Sequence, residues 1–389
     1  MRFADRMSRL GTETAFEVLV KARALEAQGR DVIHLEIGEP DFDTPQHIVD
    51  AGKEALDQGY THYGPAAGLP ELREAIAAHI AQTRQIAVRP EQVVVTPGAK
   101  PIMFYVVLAL AQAGDEVIYP NPGFPIYESV IRFVGATPVP IPLREEREFS
   151  LDVNELRGRV TDRTRLIILN SPQNPTGGIL PPADLEAIAE IAAQRGIPVL
   201  ADEIYSRMIY DGEFHSITAY EGMQDLAIIL DGFSKTYAMT GWRLGYGVMP
   251  EALADHVGRL MVNSNSCTAS FAQRAAVAAL QGPHDNVDTM MAEFRRRRDA
   301  FVAGLNAIPG VTCAMPHGAF YAFPNITEVS RSSQEMADFL LQEGGVACLA
   351  GRDFGEHGEG YLRFSYANSL EKLNQALERI ADCVAQLRQ

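Results

Sequence analysis

Apolar residues along this chain fall into two kinds of run. Short, almost continuously aliphatic stretches occur at Gln92–Thr96, Glu116–Tyr119, Arg165–Leu169, Ile197–Ala201, Ala227–Leu230 and Leu244–Met249. They are rich in Val, Ile and Leu and bounded by Gly, Pro, Asn or Asp, which predicts buried strands. Between several of them lie longer amphipathic runs with helical spacing, such as Pro125–Val134 and Pro182–Arg195. Strands and helices that alternate in this way predict an α/β fold, with a mostly parallel central sheet flanked by helices on both faces.

The two ends of the chain are patterned differently. The first part carries one helical run, Thr14–Gln28, followed by a turn-rich segment. From Asp285 onward come a long polar helix through Arg295–Arg298, hairpin-like pieces at Gly318–Phe323 and Gly360–Ser365, and a closing helix from Leu370. This predicts a large domain over residues 46–285 and a smaller α+β domain built from residues 1–45 and 286–389. At 389 residues the chain is long for one ordinary core, which suits two domains.

Composition narrows the partners. With 47% hydrophobic and 22% charged residues the chain is of the soluble globular type. Its formal net charge of −16 argues against nucleic acid and anionic membrane surfaces as partners. The Arg295–Arg298 run is accordingly expected to be a solvated helix face. The opening MRFADRMSRL has no apolar signal-like region, and no window approaches a membrane span. Cys267, Cys313, Cys348 and Cys383 form no CxxC pair, so a reduced, cytoplasmic protein is expected. The histidines show no metal-binding spacing.

The unusual residues gather where an open parallel sheet binds ligands, beyond the carboxyl ends of its strands. Gln92–Thr96 runs into Pro97-Gly98-Ala99-Lys100, Arg165–Leu169 into Asn170 and Asn174-Pro-Thr-Gly177, Ile197–Ala201 into Asp202 and Tyr205, and Ala227–Leu230 into Ser234-Lys235. A glycine between a strand and a helix start can form an anion site. A buried carboxylate such as Asp202 needs a donating partner. A rim lysine such as Lys235 can lose its proton and join an aldehyde. Arg243, packed within Gly241-Trp-Arg-Leu-Gly245, calls for an anion, and Arg363 lies in an alternating strand pattern. Taken singly, each has a plain structural alternative: an ordinary turn, a helix cap, a surface lysine, an exposed strand arginine.

Taken together, Asn174-Pro-Thr-Gly177, Asp202-x-x-Tyr205, Ser234-Lys235-Thr236 and Gly241-Trp-Arg243 resemble, in order and spacing, the class I/II aminotransferases of fold type I. Leu35-Glu-Ile-Gly38-Glu-Pro-Asp-Phe42 and Arg363 also fit. The chain is similar to the bacterial aspartate-aminotransferase-like branch. The resemblance implies pyridoxal 5'-phosphate as cofactor, amino-acid and 2-oxo-acid substrates, and a homodimer with shared active sites. It implies that Lys235 carries the cofactor as a Schiff base and moves protons, that Asp202 pairs with the pyridine nitrogen, and that Tyr205 and Asn174 bond the ring's phenolic oxygen. Phe124 would stack on the ring. Gly98, Ala99, Ser234 and Arg243 would hold the phosphate, with Lys100 nearby and Tyr63 reaching the neighbouring subunit's phosphate. Gly38, Asn174 and Arg363 would receive the substrate α-carboxylate.

Two departures from the family pattern stand out. Gly232 occupies a position where many members carry a phosphate-binding serine, and no match is found to the neighbour-subunit arginine that some members use for a side-chain carboxylate. In some relatives a lysine at the place of Lys100 reads the distal carboxylate of an acidic substrate. Aspartate, glutamate or alanine are therefore the expected donors. A lyase on the same fold, such as a carbon–sulfur β-lyase, is the alternative.

Overall fold

A computed structural model describes residues 1–330 and 332–388. A first short strand, β1 (Ile33–His34), precedes the strands of the main sheet: β2 (Val93–Thr96), β3 (Glu116–Asn121), β4 (Thr137–Pro142), β5 (Thr164–Asn170), β6 (Val199–Asp202), β7 (Ala227–Gly232) and β8 (Gly245–Val248). Their spatial order is β2-β8-β7-β6-β5-β3-β4. Strands β4, β3, β5, β6 and β7 pair in parallel, and β8 runs antiparallel to both β7 and β2.

The continuous apolar runs follow from burial on both faces. Leu166, Ile168, Leu200 and Ile228 pack to one side with Ile102, Val106 and Val107 of helix Lys100–Leu110. Their chain neighbours Ile167, Leu169, Val199 and Ala201 pack to the other with Leu185, Ile188 and Ala192 of helix Pro182–Arg195. Successive side chains point to opposite faces, so a strand covered twice has no place for a polar residue until its end.

Strand β4 was not among the sequence expectations. Its sequence, TPVPIP, has prolines at alternate positions. Donors two residues apart point to the same lateral side, so these prolines remove donors from one side only. That is tolerable because β4 is the outermost strand and pairs with β3 alone in the sheet order.

The remaining strands are short: β9 (Tyr321–Ala322), β10 (Val346–Ala347), β11 (Leu349–Ala350) and β12 (Leu362–Ser365). β11, β12 and β9 form an antiparallel sheet in that order, while β1 pairs in parallel with β10. The N-terminal segment is thereby joined to the C-terminal one. Ile33, Phe294, Phe301, Tyr321, Phe364 and Ile380 share one apolar cluster with Tyr205 and Met208, which follow β6. The end of β6 is thus packed directly against the C-terminal sheet.

The Arg295–Arg298 run is not a solvated face throughout. Arg297 and Arg298 are buried; Arg297 pairs with Asp41 at 2.6 Å and Glu293 at 2.9 Å, and Arg298 with Asp211 at 2.8 Å. Acidic partners from distant segments make burial of these guanidinium groups tolerable. No helix among the described residues is long and apolar enough to cross a membrane.

Candidate active site

One cavity of about 940 Å³ opens at the carboxyl ends of β5, β6 and β7. Gly38, Ala99, Lys100, Phe124, Asn174, Asp202, Tyr205, Ser234, Lys235, Arg243 and Arg363 all line it. The residues picked from the sequence therefore converge, with two exceptions. Gly98 lies just behind the wall, against Arg243. Tyr63 is 91% exposed and is not part of this chain's cavity wall.

Asp202 is the last residue of β6 and is buried. Its Oδ2 accepts from the Tyr127 hydroxyl at 2.5 Å and its Oδ1 from the Ile204 amide at 3.3 Å. Burial pushes its carboxyl up to about 6, although both donors favour the charged form. Tyr127 was not picked out in the sequence. It sits three residues after Phe124, whose ring it meets edge-on at 5.7 Å.

Lys235 follows β7 and faces the cavity. Its ammonium donates to the Gly38 carbonyl and stands 5.8 Å from the centre of the Phe320 ring. Removal from water pushes its pKa down to about 8, while the carboxylates of Glu39 and Glu13 act in the opposite sense. A neutral amine is thus reachable near physiological pH, unlike that of a solvated lysine.

A glycine-lined corner lies between β2 and helix Lys100–Leu110. Gly98 has φ of +86°, and a Cβ placed there would come within 2.2 Å of Arg243 Nη2. The arginine fork therefore lies directly over the glycine backbone, beside a helix N-terminus. At Gly232 space is tight: a Cβ would lie 3.0 Å from the Gly245 Cα and 3.1 Å from the Leu244 carbonyl oxygen. Gly232 pairs with Gly245 across β7 and β8, and Ser234, not residue 232, lines the cavity.

Arg363 in β12 is buried with its guanidinium between two rings, 4.6 Å from the centre of Tyr321 and 5.2 Å from that of Phe354. It donates to the Glu36 carbonyl and, at 3.4 Å, to Asn174 Oδ1. Its Nε has no hydrogen-bond partner among the described residues. A buried, unpaired donor on a charged group is costly, so this guanidinium retains unused hydrogen-bonding capacity. Tyr321, also not foreseen, joins the parts. Its hydroxyl lies 2.7 Å from that of Tyr205 and its ring lies under Arg363. Neither Tyr127 nor Tyr321 carries a sequence motif; contact across the fold defines both.

Residues 30–380 match the family described as "Aminotransferase class I and II". The aspartate aminotransferase of Pyrococcus abyssi is 43% identical over 90% of this chain and 91% of its own length. Aromatic-amino-acid aminotransferase 2 of Thermococcus litoralis is 39% identical, covering 98% and 97%. The solved structure of Thermus thermophilus aspartate aminotransferase with maleate superposes with a TM-score of 0.95 at 36% identity, covering 98% of this chain and all of that one. This chain belongs to the aminotransferase class I and II family and has its fold-type-I architecture.

Proposed function

We propose that this protein binds pyridoxal 5'-phosphate and moves an amino group between an L-amino acid and a 2-oxo acid. The observation that carries the reading is one cavity holding a lysine displaced toward its neutral form, a buried carboxylate and a buried arginine with a free donor. The residues fit the cofactor. The corner at Gly98, Ala99, Ser234 and Arg243 suits its phosphate, the Phe124 ring offers a stacking surface, and Asp202 offers a carboxylate for a protonated ring nitrogen.

When bound, the cofactor supplies the electron sink that loss of a Cα proton requires. The protein supplies placement. Asp202 would keep a bound pyridine nitrogen protonated, and a cationic partner would offset the burial that raises its pKa. Tyr205 and Asn174, both lining the cavity, would donate to the ring's phenolic oxygen. Arg363 grips the α-carboxylate through its fork, with Gly38 alongside. The Lys235 amine takes the proton from the substrate Cα.

The family relationship also supports a cytoplasmic homodimer, in which the exposed Tyr63 reaches the neighbouring subunit's phosphate, and the division into domains at residues 46–285 and 1–45 with 286–389. Lys100 lines the cavity, which supports a role in reading a distal carboxylate, so aspartate and glutamate are the proposed donors, with alanine as the less polar choice. The names of the relatives favour amino transfer over a lyase reaction.

A half-reaction screen tests this. The holoenzyme is mixed with each amino acid and loss of the cofactor's visible band is followed. Amino transfer to 2-oxoglutarate supports the reading; ammonia and pyruvate from cystathionine, without transfer, would overturn it in favour of the lyase.

A further inference from the structure

We infer that Glu13 is a built-in competitor for the distal carboxylate of an acidic substrate, and that acidic-substrate preference is set by exchange of one carboxylate for another on Lys100. The inference rests on the reading of Lys100 given above and adds a residue of opposite sign to it.

Glu13 stands just before the helix Thr14–Glu26, far from Lys100 in the chain. Its carboxylate forms an ion pair with the Lys100 ammonium. The Lys100 head lies 5.2 Å from the centre of the Phe124 ring, so it is turned toward the cavity. Glu13, Phe16 and Lys100 line both the main cavity and an outer cleft of about 640 Å³. The ion pair therefore stands at the partition between the two.

Charge decides what this does. An ammonium shared by two carboxylates brings like charges within a few ångströms of each other, which disfavours joint occupancy. A substrate with a distal carboxylate must displace Glu13, whereas a neutral side chain leaves the pair intact. The side chains of Lys100 and Glu13 are 47% and 25% exposed, so the pair is weak enough to exchange.

The test is calorimetric titration of the holoenzyme with succinate, a dicarboxylate, and butyrate, a monocarboxylate. In Glu13→Gln the succinate-to-butyrate affinity ratio should rise about two- to fivefold. In the Glu13→Gln/Lys100→Ala double variant the rise should vanish. That control separates Lys100 from Arg23, which also lines the cavity. An unchanged ratio, a rise that survives loss of Lys100, or no succinate binding by either protein overturns the inference. Failure of the proposed function shows separately, as holoenzyme that transfers no amino group from any amino acid, while the titration still reads the Glu13–Lys100 exchange.

Discussion

At the floor of the cavity, Asp202, Tyr205 and Arg363 are buried, and each is braced by a second buried group: Tyr127 on Asp202, Tyr321 on Tyr205, and the Tyr321 and Phe354 rings about Arg363. At the mouth, Phe16 is 59% exposed, and Glu13 and Lys100 are tied by one partly exposed ion pair. Electrostatic contacts are stronger in the dry interior, and braced side chains need no rearrangement to act. Exposed pairs are worth little and exchange easily. Under the proposed function, the steps common to all substrates would depend on the floor, and discrimination among side chains on the mouth.

The comparison breaks most sharply at Lys235. Lys235→Ala should abolish the bound-cofactor absorbance and lower turnover roughly 10⁴-fold for every amino acid. Retained absorbance in a spectral titration would remove Lys235 from its assigned place. A pH series on the wild-type apoprotein comes next. Burial lowers the Lys235 pKa, so its neutral, reactive form becomes dominant above about 8 instead of above the ordinary lysine value. The rate of cofactor uptake, followed by absorbance, should therefore climb about tenfold per pH unit below that point and level off above it. A plateau reached only near the pKa of a solvated lysine would contradict the enclosure described here.

Arg363→Lys sharpens the contrast, because a point charge cannot copy a fork. We expect kcat/KM to fall ~10- to 100-fold for acidic and neutral amino acids alike; a selective loss would move Arg363 from the floor to the mouth. The smallest expected effect is Tyr127→Phe. Without the hydroxyl donor the Asp202 carboxyl moves further up from its ordinary value, and cofactor affinity should weaken about fivefold by equilibrium titration. Unchanged affinity would make Tyr127 a packing residue only.

Much of the floor was legible in the sequence because local rules govern it. A doubly covered parallel strand is apolar along its length, so the first polar residues beyond it, Asp202 and those leading to Lys235, mark the rim. The less legible parts depend on partners that sequence spacing does not reveal. Tyr127 and Tyr321 read as ordinary core aromatics until the fold brings them to Asp202 and Tyr205. Arg297 reads as solvated because Asp41, its partner, is 256 residues away. Strand β4 escaped notice because its alternating prolines contradict strand propensity and are accommodated only at a sheet edge. Gly232 reads as a departure from the family's phosphate-binding serine, and only the fold shows how closely β8 approaches it.

The bond from Arg363 to the Glu36 carbonyl joins residues 327 positions apart. During synthesis the ribosome releases Glu36 long before Arg363 exists, so the nascent polypeptide carries its lysine and aspartate well before it can grip a carboxylate. Such long-range closure is slow to form relative to local contacts. Under the proposed function, translation would thus supply the α-carboxylate's arginine only after the lysine and aspartate of the same site have been made.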